Sequence, residues 1–186
     1  MSNAVSKFVA VILALLLLYI YPTLETARRQ DDLSQMIVTN AVTQFVDAVR
    51  SKGYVTPTMY NEFVRDVYAT GNEYVIHMEH LHKKYHPEYT DAADPNTFQD
   101  TFNVVYEGFY DSDLTEVLFP DNSLPLDSES RKYKMMVGDF FKVSITNTNR
   151  TPANVMSDLL YGSGSLSGER AAIAFPYGGM VLNEDY

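Results

Sequence analysis

The hydrophobic pattern begins with an unbroken apolar segment near the amino terminus. Fourteen apolar residues run from Phe8 to Tyr21, and the apolar zone extends to about 20 positions between Ala4 and Leu24, the length that a membrane span needs. A segment that is apolar on every side so close to a terminus is typical of a membrane anchor or a signal peptide. The residues expected in the membrane are Phe8, Val11, Leu15, Leu18 and Tyr21.

Two fates of this segment remain open: cleavage as a signal peptide, or retention as an anchor. The residues that follow it, from Pro22 to Arg29, offer Ala27 but no convincing pair of small residues for a signal peptidase. The helical pattern also continues beyond the segment, which favours retention. Because no second span follows, a C-terminal domain on the outer side of the cell membrane is the simplest topology for a single-pass protein.

An amphipathic helical pattern follows the apolar segment directly. Apolar residues recur at helical spacing as far as Gly53, a residue type that is common just beyond a helix end. Pro22 is expected to kink this helix or to separate its membrane part from its soluble part. The face predicted to pack against partner subunits consists of Leu33, Ile37, Ala41, Phe45 and Val49.

The next segments predict a second helix and then strands. Thr56-Pro57 combines an N-cap residue with a proline of the first turn, and apolar residues at helical spacing continue to Tyr68. Alternation from Tyr74 predicts a strand that ends near Leu81 or His82. Residues 98–119 fit a helix or a strand in their first part, and one or two helical turns in their last part.

The C-terminal third continues the alternation of strands and helices. Residues 133–148 carry the strongest strand pattern, with a bulge or turn at Gly138-Asp139. Thr151-Pro152 repeats the helix-start pattern. Residues 170–175 predict a last strand, and the sequence Pro-Tyr-Gly-Gly at 176–179 predicts a turn.

These elements together predict an α+β fold. It consists of a long N-terminal helix with a transmembrane and an amphipathic part, a second helix and a small antiparallel sheet. The predicted organisation is an anchor at residues 1–24, an amphipathic helix at 25–53 and an extracytoplasmic α+β domain at 54–186.

Composition excludes several classes of protein. The formal net charge is −10 and the pI is near 4.7, whereas nucleic-acid binding needs a basic face. The absence of cysteine rules out disulfides, thiolate metal sites and cysteine nucleophiles. We therefore predict no nucleic-acid partner.

All four histidines lie in the segment IHMEHLHKKYH, residues 76–86. The segment matches neither H-E-x-x-H nor H-x-x-E-H, the helical zinc motifs. On a strand, His80 and His82 share a face and can both reach one metal ion, with a third ligand from elsewhere. Lys83 and Lys84 oppose a dication, so the favoured interpretation is a solvent-facing strand edge whose imidazoles pair with acidic residues. A metal site at His80 and His82 is the alternative.

No catalytic motif is present. The glycine- and serine-rich segment 162–168 lacks the Gly-Lys-Ser/Thr ending of a phosphate-binding loop and follows a helix, so we interpret it as a flexible connector. No serine has a nucleophile-elbow context, and Asp139 is interpreted as a turn former. The sequence therefore predicts no enzyme activity and no cofactor.

Three segments resemble the TadE-like, pilin-like anchored proteins of tight-adherence (Flp-type) pilus loci in Gram-positive bacteria. They are residues 45–60, 74–89 and 138–149. The order of an apolar helix, an amphipathic helix and a small sheet domain is likewise similar to a pilin or pseudopilin. No acidic residue lies between Met1 and Leu24, where a prepilin peptidase site has glutamate. The resemblance implies a minor pilin or an anchored assembly component.

The expected function is that of a non-enzymatic, membrane-anchored structural component of a surface filament or secretion apparatus. Its expected partners are the membrane and other pilus or secretion-apparatus subunits, or copies of itself. The alternative is an exported metal-binding or metal-dependent module that uses the histidine segment from His77 to His86.

Overall fold

The computed structural model describes residues 2–91, 93–161 and 174–186. The helices of these parts are α1 (Ser2–Lys52), α2 (Pro57–Tyr68), α3 (Asp111–Leu118) and α4 (Pro152–Tyr161). The strands are β1 (Tyr54–Val55), β2 (Tyr74–Tyr89), β3 (Phe98–Phe109), β4 (Tyr133–Lys134), β5 (Phe140–Asn147) and β6 (Ala174–Met180). The predicted α+β class, with a long N-terminal helix, is confirmed.

Helix α1 is a single element of 51 residues that continues through Pro22. Its side chains are exposed from Ala4 to Tyr19, whereas Val38, Val42 and Val49 are almost wholly buried. The most apolar stretch of the helix is long enough to cross a membrane, and none of it is buried. By length and composition, α1 therefore contains one candidate membrane span, and its C-terminal part belongs to the folded domain.

The main sheet is antiparallel, with the strand order β3-β2-β5-β6, and β1 pairs with β4 in a separate two-stranded sheet. Apolar side chains of β2 and β5 alternate inward and face the C-terminal part of α1, α2 and α3, so one core is enclosed between helices and sheet. Members of this core on five elements are Val42, Phe45, Val46, Phe63, Met78, Leu114, Leu118, Phe141, Val143 and Ile145.

Strands β2 and β6 run in the same sense as α1. The Tyr177 hydroxyl donates to Asp47 at 3.1 Å, and Arg50 Nε donates to the carbonyl of Met180 at 3.0 Å, so β6 advances along α1 toward its C-terminal end. Since β2 and β6 are both antiparallel to β5, β2 advances in that direction too. Its C-terminal half therefore points away from the apolar end of α1.

Beyond the domain, β2 continues as a two-stranded ribbon. Pairing of β2 with β5 ends at Leu81, but pairing with β3 continues from His82 opposite Glu107 to Tyr89 opposite Phe98. We call these paired residues, 82–89 and 98–107, the distal ribbon. Its cross-strand pairs gather most of the apolar side chains on one face, where Lys83 is opposite Tyr106, whereas Val105 lies on the other face opposite Lys84. One face holds the exposed or half-exposed apolar residues Tyr85, Pro87, Tyr89, Phe98, Phe102, Val104 and Tyr106.

The distal ribbon makes β2 longer than its sequence pattern predicts. The predicted end near Leu81 or His82 is wrong, because the ladder with β3 extends the strand across Pro87. A proline is tolerated there since this half of β2 has lost its second neighbour and one edge is free. Residues 98–119, which fitted either state, form strand β3 and then helix α3.

The C-terminal elements also differ in detail from their predictions. Residues 133–148 form two strands instead of one, separated by a turn in which Gly138 has a φ of +94°. Residues 176–179 do not form a turn but lie inside β6, where Gly178 approaches the backbone of β5 too closely for a side chain. The connector predicted at 162–168 and the start of the strand predicted at 170–175 lie outside the described residues.

Both predicted Thr-Pro helix starts are confirmed. Helix α2 begins directly after Thr56, whose side-chain oxygen accepts a hydrogen bond from the Met59 N–H at 3.2 Å. Helix α4 begins at Pro152, and the Thr151 hydroxyl oxygen accepts a hydrogen bond from the Asn154 N–H at 3.3 Å. In each case proline occupies the first helical position, where no N–H is needed.

Candidate functional site

His80 of β2 does not lie on an exposed edge. Strand β2 is the second strand of four, between β3 and β5, and the side chain of His80 is only 5% exposed. His82 lies two positions further on the same face, and its side chain is 24% exposed. The interpretation as a solvent-facing strand edge is therefore wrong for His80, because the sheet and the turn before β5 cover it.

Asp139 is brought to these histidines by the register of the sheet. Leu81 of β2 pairs with Phe140 of β5, so the next position on each strand places Asp139 opposite His82. Gly138, in a backbone conformation that side chains rarely adopt, turns the chain into β5 immediately before it. The aspartate side chain, 2% exposed, points inward between the two imidazoles.

The Asp139 carboxylate accepts four hydrogen bonds from different groups. His80 donates from Nε2 at 2.9 Å, and His82 donates from Nδ1 at 2.9 Å to one oxygen and 3.1 Å to the other. The backbone N–H groups of Lys83 and Met136 donate at 3.0 and 2.8 Å. Asp139 thus stabilises the turn, as its sequence context predicts, and its hydrogen bonds also join that turn to β2.

We call His80, His82 and Asp139 the cluster, and its protonation follows from these contacts. Burial alone would raise the pKa of Asp139, but the hydrogen bonds from Lys83, His80, Met136 and His82 lower it overall. The carboxylate is therefore ionised near neutral pH and can only accept. Burial lowers the pKa of His80 more than the hydrogen bond and charge of Asp139 raise it, which favours a neutral imidazole.

A neutral His80 has one proton, and its two neighbours decide where that proton lies. Since Asp139 can only accept, the proton is on Nε2, and Nδ1 accepts a hydrogen bond from the Tyr133 hydroxyl at 2.8 Å. Burial, with the charges of Asp113 and Asp139, raises the pKa of Tyr133, which keeps its hydroxyl protonated. The result is a chain of satisfied hydrogen bonds from Tyr133 through His80 to Asp139.

Chemically, the cluster is a set of metal donors. One atom each from His80, His82 and Asp139 lies within 4.8 Å of the others, so the three can surround a single cation. The two lysines that follow do not occupy this space. Lys83 lies on the opposite face with its ammonium 4.8 Å from the Tyr85 ring, and Lys84 forms an ion pair with Glu107.

The other two histidines belong to different surroundings. His77 faces away from the cluster and donates from Nδ1 to Asp111, the first residue of α3, at 2.7 Å. His86 is exposed in the distal ribbon. The histidine segment therefore contains one converging pair, His80 and His82, and two separate residues.

The residues predicted for partner packing are divided by the fold. Leu33 and Ile37 are 60% and 48% exposed, and Ala41 is half-buried. Phe45 and Val49 lie in the core of their own domain, so they are not available to a partner. The residues predicted for the membrane are all strongly exposed, namely Phe8, Val11, Leu15, Leu18 and Tyr21.

The sequence did not reveal two contacts of these histidines. These are the hydrogen bonds of both histidines with Asp139 and the hydrogen bond of His80 with Tyr133. Alternation along β2 indicates that His80 and His82 share a face, but the partner of that face depends on the strand register. The available signal was the pairing of two strong strand patterns: an antiparallel β2–β5 pair in this register places Asp139 opposite His82. Tyr133 precedes the turn and offers no comparable signal.

Comparisons with known proteins identify no relative of this chain. No family model matches the chain, and neither a curated protein nor a solved structure matches it significantly.

Proposed function

We propose that this protein is a non-enzymatic, membrane-anchored structural component of a surface filament or secretion apparatus, similar in role to a minor pilin or pseudopilin. The observation that carries the proposal is the exposure profile of α1. Residues 4–19, apolar except for Ser6 and Lys7, are exposed, and the same helix continues without interruption into the core of the domain. Because one helix forms both the proposed anchor and part of the domain core, the domain is held at a fixed position relative to the membrane, as a subunit of an assembly needs to be.

The proposed orientation places residues near Ala4–Leu24 in the membrane and the domain outside the cell. A helix rises about 1.5 Å per residue, so this segment spans about 30 Å, the thickness of a bilayer's hydrocarbon core. Strand β2 advances in the same sense as α1, and hence the distal ribbon projects away from that membrane.

Two exposed apolar surfaces support an assembly role. The first is on α1, where Leu33, Met36 and Ile37 are 60%, 67% and 48% exposed within little more than one helical turn. We propose that this surface packs against a helix of a neighbouring subunit. The second is the apolar face of the distal ribbon, which projects away from the apolar end of α1. Exposed apolar surfaces of this kind are characteristic of protein interfaces.

Anchoring is tested by labelling in intact cells. The chain has no cysteine, so a single cysteine introduced at the exposed residue Asn61 of α2 gives one reactive position. We expect the variant to stay in the membrane fraction after alkaline extraction and to react with a membrane-impermeant maleimide. A shortened chain in the soluble fraction would contradict the anchor and indicate a cleaved signal peptide.

Helix packing is tested by cross-linking in the same membranes. We expect Met36→Cys to cross-link to a neighbouring subunit through a short maleimide–diazirine photo-cross-linker, which needs a thiol on this chain only, because this side chain lies on the proposed packing surface. Asn61→Cys, exposed on a different helix, is the matched control. A product of twice the chain mass identifies a second copy, and any other mass identifies a different subunit. Equal cross-linking of the two variants, or none from Met36→Cys, would contradict the proposed surface.

A further inference from the structure

We propose that Nε2 of His80, Nδ1 of His82 and a carboxylate oxygen of Asp139 form a binding site for one divalent transition-metal cation of the zinc class. This site is independent of the assembly role proposed above. It would join the central strand to the turn before β5.

The spacing of the donor atoms fits such a cation. Zinc binds imidazole nitrogen and carboxylate oxygen at about 2.0–2.2 Å, so two donors of a tetrahedral site lie roughly 3.3 Å apart. Asp139 Oδ2 lies 2.9 Å from His80 Nε2 and 3.1 Å from His82 Nδ1. Shifts of a few tenths of an ångström would bring these two distances to that spacing, and all three donor atoms lie within 4.8 Å of one another. Two imidazoles and one carboxylate are also a donor set that zinc uses when a water molecule takes the fourth position.

The ligands are already oriented by other contacts, as in established metal sites. Ligating histidines usually donate their second ring N–H to a nearby oxygen, and ligating carboxylates are themselves hydrogen-bonded. The Tyr133 oxygen lies 2.8 Å from the second nitrogen of His80. The Lys83 and Met136 N–H groups hold the carboxylate of Asp139 at 3.0 and 2.8 Å.

Access and charge also favour a cation. His80 and Asp139 are enclosed by the fold, whereas the His82 side chain is 24% exposed and leaves one side of the cluster open to solvent. The buried carboxylate supplies a negative charge that offsets part of the charge of the ion. The ion pair of Lys84 with Glu107 neutralises the positive charge nearest to this face of β2.

The protons of the cluster can be rearranged without a co-reactant. When the cation binds, the proton of His80 moves from Nε2 to Nδ1 and is donated to the Tyr133 oxygen, whose hydroxyl rotates to accept it. The proton of His82 moves from Nδ1 to Nε2, on its solvent side. The hydrogen bonds from the imidazoles to Asp139 are replaced by three metal–ligand bonds.

The test is titration of the tag-free, chelator-treated full chain in non-ionic detergent with Zn²⁺. We expect one Zn²⁺ per chain, no comparable binding of Mg²⁺, which prefers oxygen ligands, and a higher unfolding temperature with Zn²⁺. His82→Ala should weaken binding by at least about tenfold, and Tyr133→Phe by roughly tenfold, the lower end for a residue that orients a ligand. His86→Ala, on the same face of β2 but outside the cluster, is the matched control and should leave affinity unchanged.

Zn²⁺ binding absent from the full chain, or weakened equally by His86→Ala and His82→Ala, would overturn the proposal. A second measurement does not depend on a folded variant. Long-range ¹⁵N–¹H correlation spectra of the unmodified chain report which ring nitrogen carries the proton. Saturating Zn²⁺ should move the His80 proton from Nε2 to Nδ1, and an unchanged His80 spectrum would likewise overturn the site.

Discussion

The ring of Phe45 on α1 stacks on the ring of Phe63 on α2, with centroids 4.4 Å apart and planes within 6° of parallel. Phe141 of β5 meets Phe45 edge-on at 6.1 Å. Phe45 therefore joins three elements of the core, and the last third of α1 is a structural part of the domain as well as a continuation of the apolar segment.

Removal of the Phe45 ring should be costly. We expect Phe45→Ala to lower the free energy of unfolding by about 3–5 kcal/mol, because it leaves a cavity between α1, α2 and β5. Denaturant unfolding in detergent, followed by near-ultraviolet circular dichroism of the tyrosines, measures the change. Met36→Ala, on the exposed side of the same helix, should change stability by no more than about 0.5 kcal/mol. Similar losses in the two variants would contradict the packing described.

Two glycines with the same backbone conformation should respond differently to alanine. Gly53 and Gly71 both have a φ of +78°, which costs a residue with a Cβ about 1–2 kcal/mol. A Cβ at Gly71 meets nothing within 4 Å, whereas one at Gly53 would collide with the backbone carbonyl of Asn183. Gly53→Ala should therefore cost at least about 1 kcal/mol more than Gly71→Ala. Equal losses in unfolding experiments would show that the C-terminal segment does not pack against Gly53.

The carboxylate of Asp139 should be essential to the fold even without a metal ion. Asp139→Ala leaves the N–H groups of Lys83 and Met136 and the imidazole of His80 without their acceptor. We expect a loss of about 3–5 kcal/mol in chelator-containing buffer, as for other broken buried charged networks. Asp121→Ala, at an exposed acidic residue, is the control and should stay within about 0.5 kcal/mol. A small loss for Asp139→Ala would mean that these donors find water instead.

The half-buried hydroxyl of Tyr60 should make stability depend on alkaline pH. Burial, with the charges of Asp111 and Tyr68, raises the pKa of Tyr60 above its usual value. The unfolded chain therefore loses this proton at lower pH than the folded chain, and stability falls as the pH rises above about 10. Tyr60→Phe should be nearly neutral at pH 7 and should make the alkaline loss smaller. Parallel stability curves for the two proteins across that pH range would contradict the prediction.

Local patterns were sufficient for the helices. The Thr-Pro starts of α2 and α4 and the apolar run of α1 are encoded within a few residues, so they could be predicted from the sequence. The length of β2 could not be predicted, because its second half is a strand only through pairing with β3. Periodicity also does not reveal what covers an apolar face. Phe45 and Val49 fit a partner-packing stripe, but the domain's own core covers them.

Only the two histidines of the candidate site could be predicted from the sequence. His80 and His82 share a face by the alternation of any strand, and the sequence suffices for that. Asp139 reaches them only through the β2–β5 register, which joins residues almost 60 positions apart. The burial of His80, which decides its protonation, depends on the same non-local pairing.

Because α1 is uninterrupted, it fixes the position and the orientation of the domain relative to the apolar segment. A flexible linker would let the domain tumble, but along a helix each residue adds about 1.5 Å of height and about 100° of rotation. The face that the distal ribbon turns toward a neighbour is therefore determined by the number of residues in α1. An insertion or deletion of one residue within the exposed N-terminal part of that helix would rotate every surface of the domain relative to the membrane and leave the domain itself unchanged.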